Sequence, residues 1–125
     1  MSTDNERAAE LRGYVEDLNS RVMNGDMLGA FDQYYADDVT MQENQLPPIV
    51  GKAANRAREE EWLAAITEFR SAEVKSVGID PKTDTTLVEW IFDYTHKEWG
   101  DVKNHQVSIQ RWRGDKIVHE RFVYG

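Results

Sequence analysis

Near Ser71 the spacing of apolar residues changes from three and four to two, and that switch limits the folds open to the chain. Upstream, Ala8, Leu11, Val15, Leu18 and Val22 recur at the spacing of one helix face. Downstream, the segments from about Ala72 to Ile79, Thr86 to His96, Val102 to Trp112 and Lys116 to Tyr124 alternate like strands. Between them lie turn formers: Asp80-Pro81-Lys82-Thr83-Asp84, the hairpin around Glu98-Trp99-Gly100-Asp101, and Arg113-Gly114-Asp115. Helices followed by a strand meander predict an α+β domain.

The N-terminal part divides further. Ser2-Thr3-Asp4 can cap the first helix and Asn24-Gly25 ends it. Asp26 caps a second, with Leu28, Phe31, Tyr34 and Tyr35 facing inward. In YYADDVTMQEN, residues 34–44, the pair Asp37-Asp38 makes a corner before a short strand. Val39, Met41 and Glu43 share a face of that strand, which sets an acid among apolar neighbours. Burial of that kind raises a carboxyl pKa toward the range of a general base. A loop from Asn44 to Gly51, broken by Pro47-Pro48, leads to a third helix over about Ala53 to Glu68. Its RAREEE run reads as a solvated face, and Trp62, Leu63, Ala65, Ile66 and Phe69 as the buried stripe.

A chain of 125 residues predicts one domain over residues 1–125. The net charge of −8 argues against nucleic-acid or anionic-membrane surfaces, which want the opposite sign. There is no cysteine, and the three histidines are scattered, so no metal site is expected. Without a glycine-rich phosphate loop or a serine elbow, no cofactor is expected either. The polar, acidic start and the lack of a long apolar run predict a soluble, cytoplasmic protein.

The strands can be sorted into faces. A two-residue turn at Trp99-Gly100 would set Tyr94 opposite His105, Phe92 opposite Val107, Trp90 opposite Ile109 and Val88 opposite Arg111. The other face would then carry Asp93, Ile91 and Glu89 against Gln106, Ser108 and Gln110, which separates apolar from polar. A turn at Gly114-Asp115 adds Val118, Glu120, Phe122 and Tyr124 to the apolar face and leaves His119, Arg121 and Val123 outside. His96, near a hairpin end, is expected to be exposed. An aromatic interior holding His105, Arg111 and Glu120 fits a small-molecule pocket. It fits equally an aromatic core in which Arg111 pairs with Glu120.

The order of elements, with GDMLGAFDQYYADDVTMQEN and the late GDKIVHERF, resembles the SnoaL-like branch of the nuclear transport factor 2-like superfamily. Gly25-Asp26, the YADDV corner, Gly51 before a helix and Gly114-Asp115-Lys116-Ile117 carry the likeness. It implies a cone, the cystatin-like α+β barrel, in which a curved antiparallel or mixed sheet wraps around three N-terminal helices. It also implies a cavity in the cone's mouth and a homodimer through the outer sheet face. By similarity to ketosteroid isomerases, Glu43 takes the place of the general base. The oxyanion tyrosine falls on Leu18 by direct count, or on Tyr14 with a one-turn insertion, and the second acid near Ser108. LPPIVGKAA resembles limonene-epoxide hydrolases, but their catalytic positions hold Met41, Glu43, Trp90, Phe92 and Phe122 here. That activity is not expected, although the match places those residues in the cavity. By similarity to SnoaL-type polyketide cyclases, Glu120 is the acid and His105 the histidine on the neighbouring strand.

The expected function is therefore a cofactor-independent isomerase, cyclase or dehydratase moving a proton on a small hydrophobic, carbonyl-type molecule. Glu43, His105 and Glu120 are the candidate acid–base groups. Tyr14, Met41, Trp62, Trp90, Phe92, Tyr94, Arg111, Phe122 and Tyr124 are the candidate walls. A non-catalytic ligand-binding protein, and a dimeric module whose pocket is filled by its own side chains, are the alternatives.

Overall fold

A computed structural model of the chain describes residues 3–125. Helices α1 (Asp4–Met23) and α2 (Met27–Tyr34) lead directly into β1 (Tyr35–Glu43), and a short β2 (Ile49–Val50) precedes α3 (Lys52–Ala65). Then follow β3 (Ile66–Asp80), β4 (Thr85–His96), β5 (Gly100–Arg113) and β6 (Lys116–Tyr124). Among the described residues six strands form one open, mixed sheet in the order β2-β1-β6-β5-β4-β3, in which β1 and β6 run parallel and the other neighbours antiparallel. This is the α+β architecture expected, with the helices against the sheet's inner face.

Local chemistry sets the helix boundaries. The Thr3 hydroxyl accepts from the Glu6 amide at 3.1 Å and caps α1; Ser2, named with that cap, lies outside the described residues. The Asp26 carboxylate accepts from the Gly29 amide at 3.1 Å and caps α2. Gly51 starts α3 at φ +100°, a conformation that a side chain would strain. The helix ends at Ala65, three residues before the expected Glu68, because the long strand β3 already begins at Ile66. Phe69 consequently lies on that strand, 40% exposed, instead of on a buried helix stripe.

Two apolar clusters make the core. One gathers Leu11, Phe31, Tyr34, Met41, Trp112 and Ile117; the other holds Val15, Val88, Trp90, Phe92 and Tyr94. The inward faces expected of α1, β1 and β4 are thus observed. Among the described residues, no helix is long and apolar enough to cross a membrane.

The β4–β5 register differs from the expectation. His96 pairs with Gly100, so the connection is Lys97-Glu98-Trp99, three residues long. The His96 ring causes this: its Nδ1 accepts from the Glu98 amide at 3.1 Å, and it stacks on Trp99 with centroids 3.7 Å apart. His96 is buried, not exposed. Tyr94 therefore faces Val102, Phe92 faces Asn104, Trp90 faces Gln106 and Val88 faces Ser108. The displacement is an odd number of residues, so every β5 side chain changes sides. Asn104, Gln106, Ser108 and Gln110 look inward, while His105, Val107, Ile109 and Arg111 look outward. The Gly114-Asp115 turn is as expected, with Arg113 opposite Lys116. An irregularity beside it seats Ile117, rather than Val118, in the core and returns Glu120, Phe122 and Tyr124 to the inner face.

Candidate active site

A cavity of about 470 Å³ opens between the helices and the inner sheet face. Residues of both core clusters line it, Leu18 and Phe31 from one and Trp90, Phe92 and Tyr94 from the other. Trp90 stacks on Phe92 with centroids 5.0 Å apart, and Trp62 of α3 meets the Tyr94 ring edge-on at 5.2 Å. Phe122 and Tyr124 extend this aromatic wall along β6.

Set into the apolar lining is one acid sealed almost wholly from solvent. Glu120 is 1% exposed, yet it borders the cavity. The Tyr35 hydroxyl donates to its Oε1, and the Gln110 amide donates to its Oε2 at 2.8 Å. Gln110 is itself fixed: its Oε1 accepts from the Thr86 hydroxyl at 2.7 Å, and the Thr86 oxygen accepts from the Trp112 indole N–H at 2.8 Å. An indole nitrogen can only donate, so the direction of the whole chain is set from Trp112 to Glu120. Burial pushes the Glu120 carboxyl up to about 7 against the lowering effect of its two donors. Burial, and then the Glu120 charge, push the Tyr35 hydroxyl well above its ordinary value.

A second acid faces the same space from α3. The Glu59 carboxyl also stands at about 7, raised first by burial and then by Glu120, with Arg58 partly offsetting and Glu43 adding to the rise. Glu43 lines the cavity as expected, but at 39% side-chain exposure it is not enclosed by apolar groups. It forms an ion pair with Arg58 at 3.1 Å. The enclosure that the sequence assigns to Glu43 belongs to Glu120.

The other candidates divide plainly. Trp62, Trp90, Phe92, Tyr94, Phe122 and Tyr124 line the cavity with Glu43 and Glu120. His105 does not: it is on the outer face, 63% exposed, with Nε2 2.6 Å from the Glu89 carboxylate. Arg111 is also outside and donates to the Thr85 hydroxyl at 2.9 Å, so it does not pair with Glu120. Both follow from the β5 register. Met41 is packed in the core. Tyr14 stacks on Trp112, centroids 5.6 Å apart, behind the wall. Leu18, the direct-count position, is a residue of α1 that borders the cavity, and Ser108 does so from β5.

Sequence reasoning set Gln110 on the outer face and did not name Tyr35, Gln110, Thr86, Glu59 or Asn19 as site residues. For the last two a signal existed. Glu59 is four residues after Asn55 and three before Trp62, so it shares their helix face despite its place in the RAREEE run. Asn19 is likewise four after Val15 and three before Val22. Among the described residues, no group of three or more His, Cys, Asp or Glu side chains could hold a metal ion.

Comparison with known proteins accords with this fold. A proposed SnoaL-like polyketide cyclase of Mesorhizobium loti is similar at 26% identity, with a TM-score of 0.78 over 89% of this chain and 96% of that one. A proposed isomerase of Bacillus subtilis is 18% identical, with a TM-score of 0.76 over 99% and 90%. An epoxide hydrolase of M. tuberculosis, described as like limonene-epoxide hydrolase, is 15% identical, with a TM-score of 0.75 over 94% and 84%. The last two likenesses show the fold alone. Among curated proteins, none matches the chain. The model of the SnoaL-like domain matches residues 11–120, and the chain belongs to that family.

Proposed function

We propose that the protein binds a small, largely apolar, carbonyl-bearing molecule in this cavity and catalyses a cofactor-independent proton transfer on it. The reaction class is that of an isomerase, cyclase or dehydratase. One observation carries the reading: Glu120 is enclosed, borders the cavity and is poised at about 7. Near neutral pH such a group is present in both protonation states, so it can take a proton from carbon and return one. The carboxylate would remove a proton alpha to the carbonyl, and the resulting acid would deliver it at another position of the same molecule. Tyr35 and Gln110 hold the carboxyl in place during both steps.

The similar Mesorhizobium loti protein supports this class, since it is a proposed polyketide cyclase. A second reading, ligand binding without chemistry, is favoured by the engagement of both Glu120 oxygens with donors. Proton exchange separates the two. In deuterated buffer, 2-tetralone should exchange its alpha hydrogens faster with the protein than without it, and Glu120→Gln should abolish the difference. Binding of the ketone with no acceleration would leave only the second reading.

A further inference from the structure

The cavity's charges do not balance. Glu43 of β1 is matched by Arg58 of α3. Glu59 of α3 and Glu120 of β6 line the same space and, among the described residues, have no cation of their own beyond that shared Arg58. The other ionisable groups facing them are phenols, Tyr35 and Tyr124 from the sheet's β1 and β6 and Tyr94 from β4, which supply no positive charge. An independent sign comes from α1: Asn19 is 3% exposed, lines the cavity, and its Oδ1 has no hydrogen-bond partner among the described residues. Two carboxyls thus lack a cation, and one buried amide oxygen lacks a donor.

The remaining lining is aromatic. Trp62, Trp90, Phe92, Tyr94 and Phe122 present ring faces and edges, and ring faces attract organic cations. A bare metal ion would want more grouped ligands than the described residues provide. We infer that the molecule bound here carries a protonated amine on an apolar body, with the ammonium held between Glu59 and Glu120 against the aromatic wall. This names the substrate class of the cavity and rests on the cavity's being a ligand site; it does not depend on Glu120 transferring protons.

Without a bound cation a proton would supply the missing charge, because both carboxyls are pushed up to about 7. An ammonium would replace it, so its binding should strengthen as pH rises through that value. The probes are 2-(2-naphthyl)ethylamine, which stays protonated between pH 5.5 and 8.5, and 2-(2-naphthyl)ethanol, which has the same size and also donates a hydrogen bond. Tryptophan fluorescence follows both.

At pH 8.5 the amine should bind at least about tenfold more tightly than the alcohol. At pH 5.5 that preference should fall to about twofold or less, and Glu59→Gln should cut it at least about threefold at pH 8.5. Equal or tighter binding of the alcohol at pH 8.5 would overturn the amine assignment and leave the cavity as a site for neutral ligands. So would a preference indifferent to pH, a measurement that needs only the unaltered protein. Binding of neither probe would remove the assignment and the ligand-site reading together.

Discussion

Gln110 and Glu120 face each other across the β5–β6 pairing, and the amide donates to the carboxylate at 2.8 Å. Behind Gln110 stand Thr86 and then Trp112, each passing one hydrogen bond toward the acid. The carboxyl that borders the cavity is therefore aimed by a relay of side chains running back into the core. Its properties should be measurable without knowing the substrate.

The first consequence is a pH dependence of stability. The folded protein holds the Glu120 proton up to about 7, against 4.5 for a free side chain. The folded state thus binds more protons, and this contribution is complete below about 4.5 and lost as pH rises through about 7. The loss amounts to about 3 kcal/mol. Glu59, also raised to about 7, adds to the same trend. Asp32, Asp38 and Asp80, whose carboxyls are lowered by hydrogen bonds, act oppositely and only at more acid pH. Urea midpoints should show the protein less stable at pH 8.5 than at pH 5, with the difference clearly reduced in Glu120→Gln. A variant that tracks the parent at both pH values would show that Glu120 is not the titrating group.

Thr86→Val tests the relay behind the acid. Thr86 is fully buried, and valine fills the same volume without the hydroxyl. The Trp112 indole N–H and the Gln110 Oε1 would both be left unpartnered, at a cost of about 2–4 kcal/mol. Equilibrium unfolding measures it directly, and a loss below about 1 kcal/mol would mean the chain from Trp112 to Glu120 does not hold.

Trp90→Ala should cost about 3 kcal/mol or more, because the indole is 4% exposed and stacked on Phe92. It should also weaken the fluorescence response to cavity ligands. An unchanged melting curve would contradict its packing.

His105→Ala tests the β5 register. The ring is exposed on the outer face and bonded to Glu89, whose carboxyl it holds below the usual range. Its removal should let the Glu89 carboxyl titrate at higher pH by NMR while the unfolding midpoint stays put. Loss of ketone proton exchange in this variant would instead place His105 at the cavity.

Much of the molecule is legible from residue spacing. Helical periodicity in α1 and alternation in β4 and β6 are local properties, enforced by the need to bury one face, and they place Leu11, Trp90 and Glu120 on the inside. The inward side of β5 was not legible for a physical reason. Sorting apolar from polar assumes that the inner face is the apolar one, yet this inner face must hold amides to orient an acid and line a cavity. Val107 and Ile109 consequently lie on the outer face, and the choice was made by a three-residue loop whose Glu98 and Trp99 gather around His96.

The sequence alone determined that helices precede a meander, where the turns fall, and that aromatic side chains share a space with acids. Only the tertiary structure decided which acid is enclosed. Solvent exposure depends on what neighbouring strands and helices bring close: Arg58 reaches Glu43 at the mouth, whereas Tyr35 and Gln110 close over Glu120 within. A carboxyl's proton affinity follows from that enclosure, and no spacing along a single strand contains it.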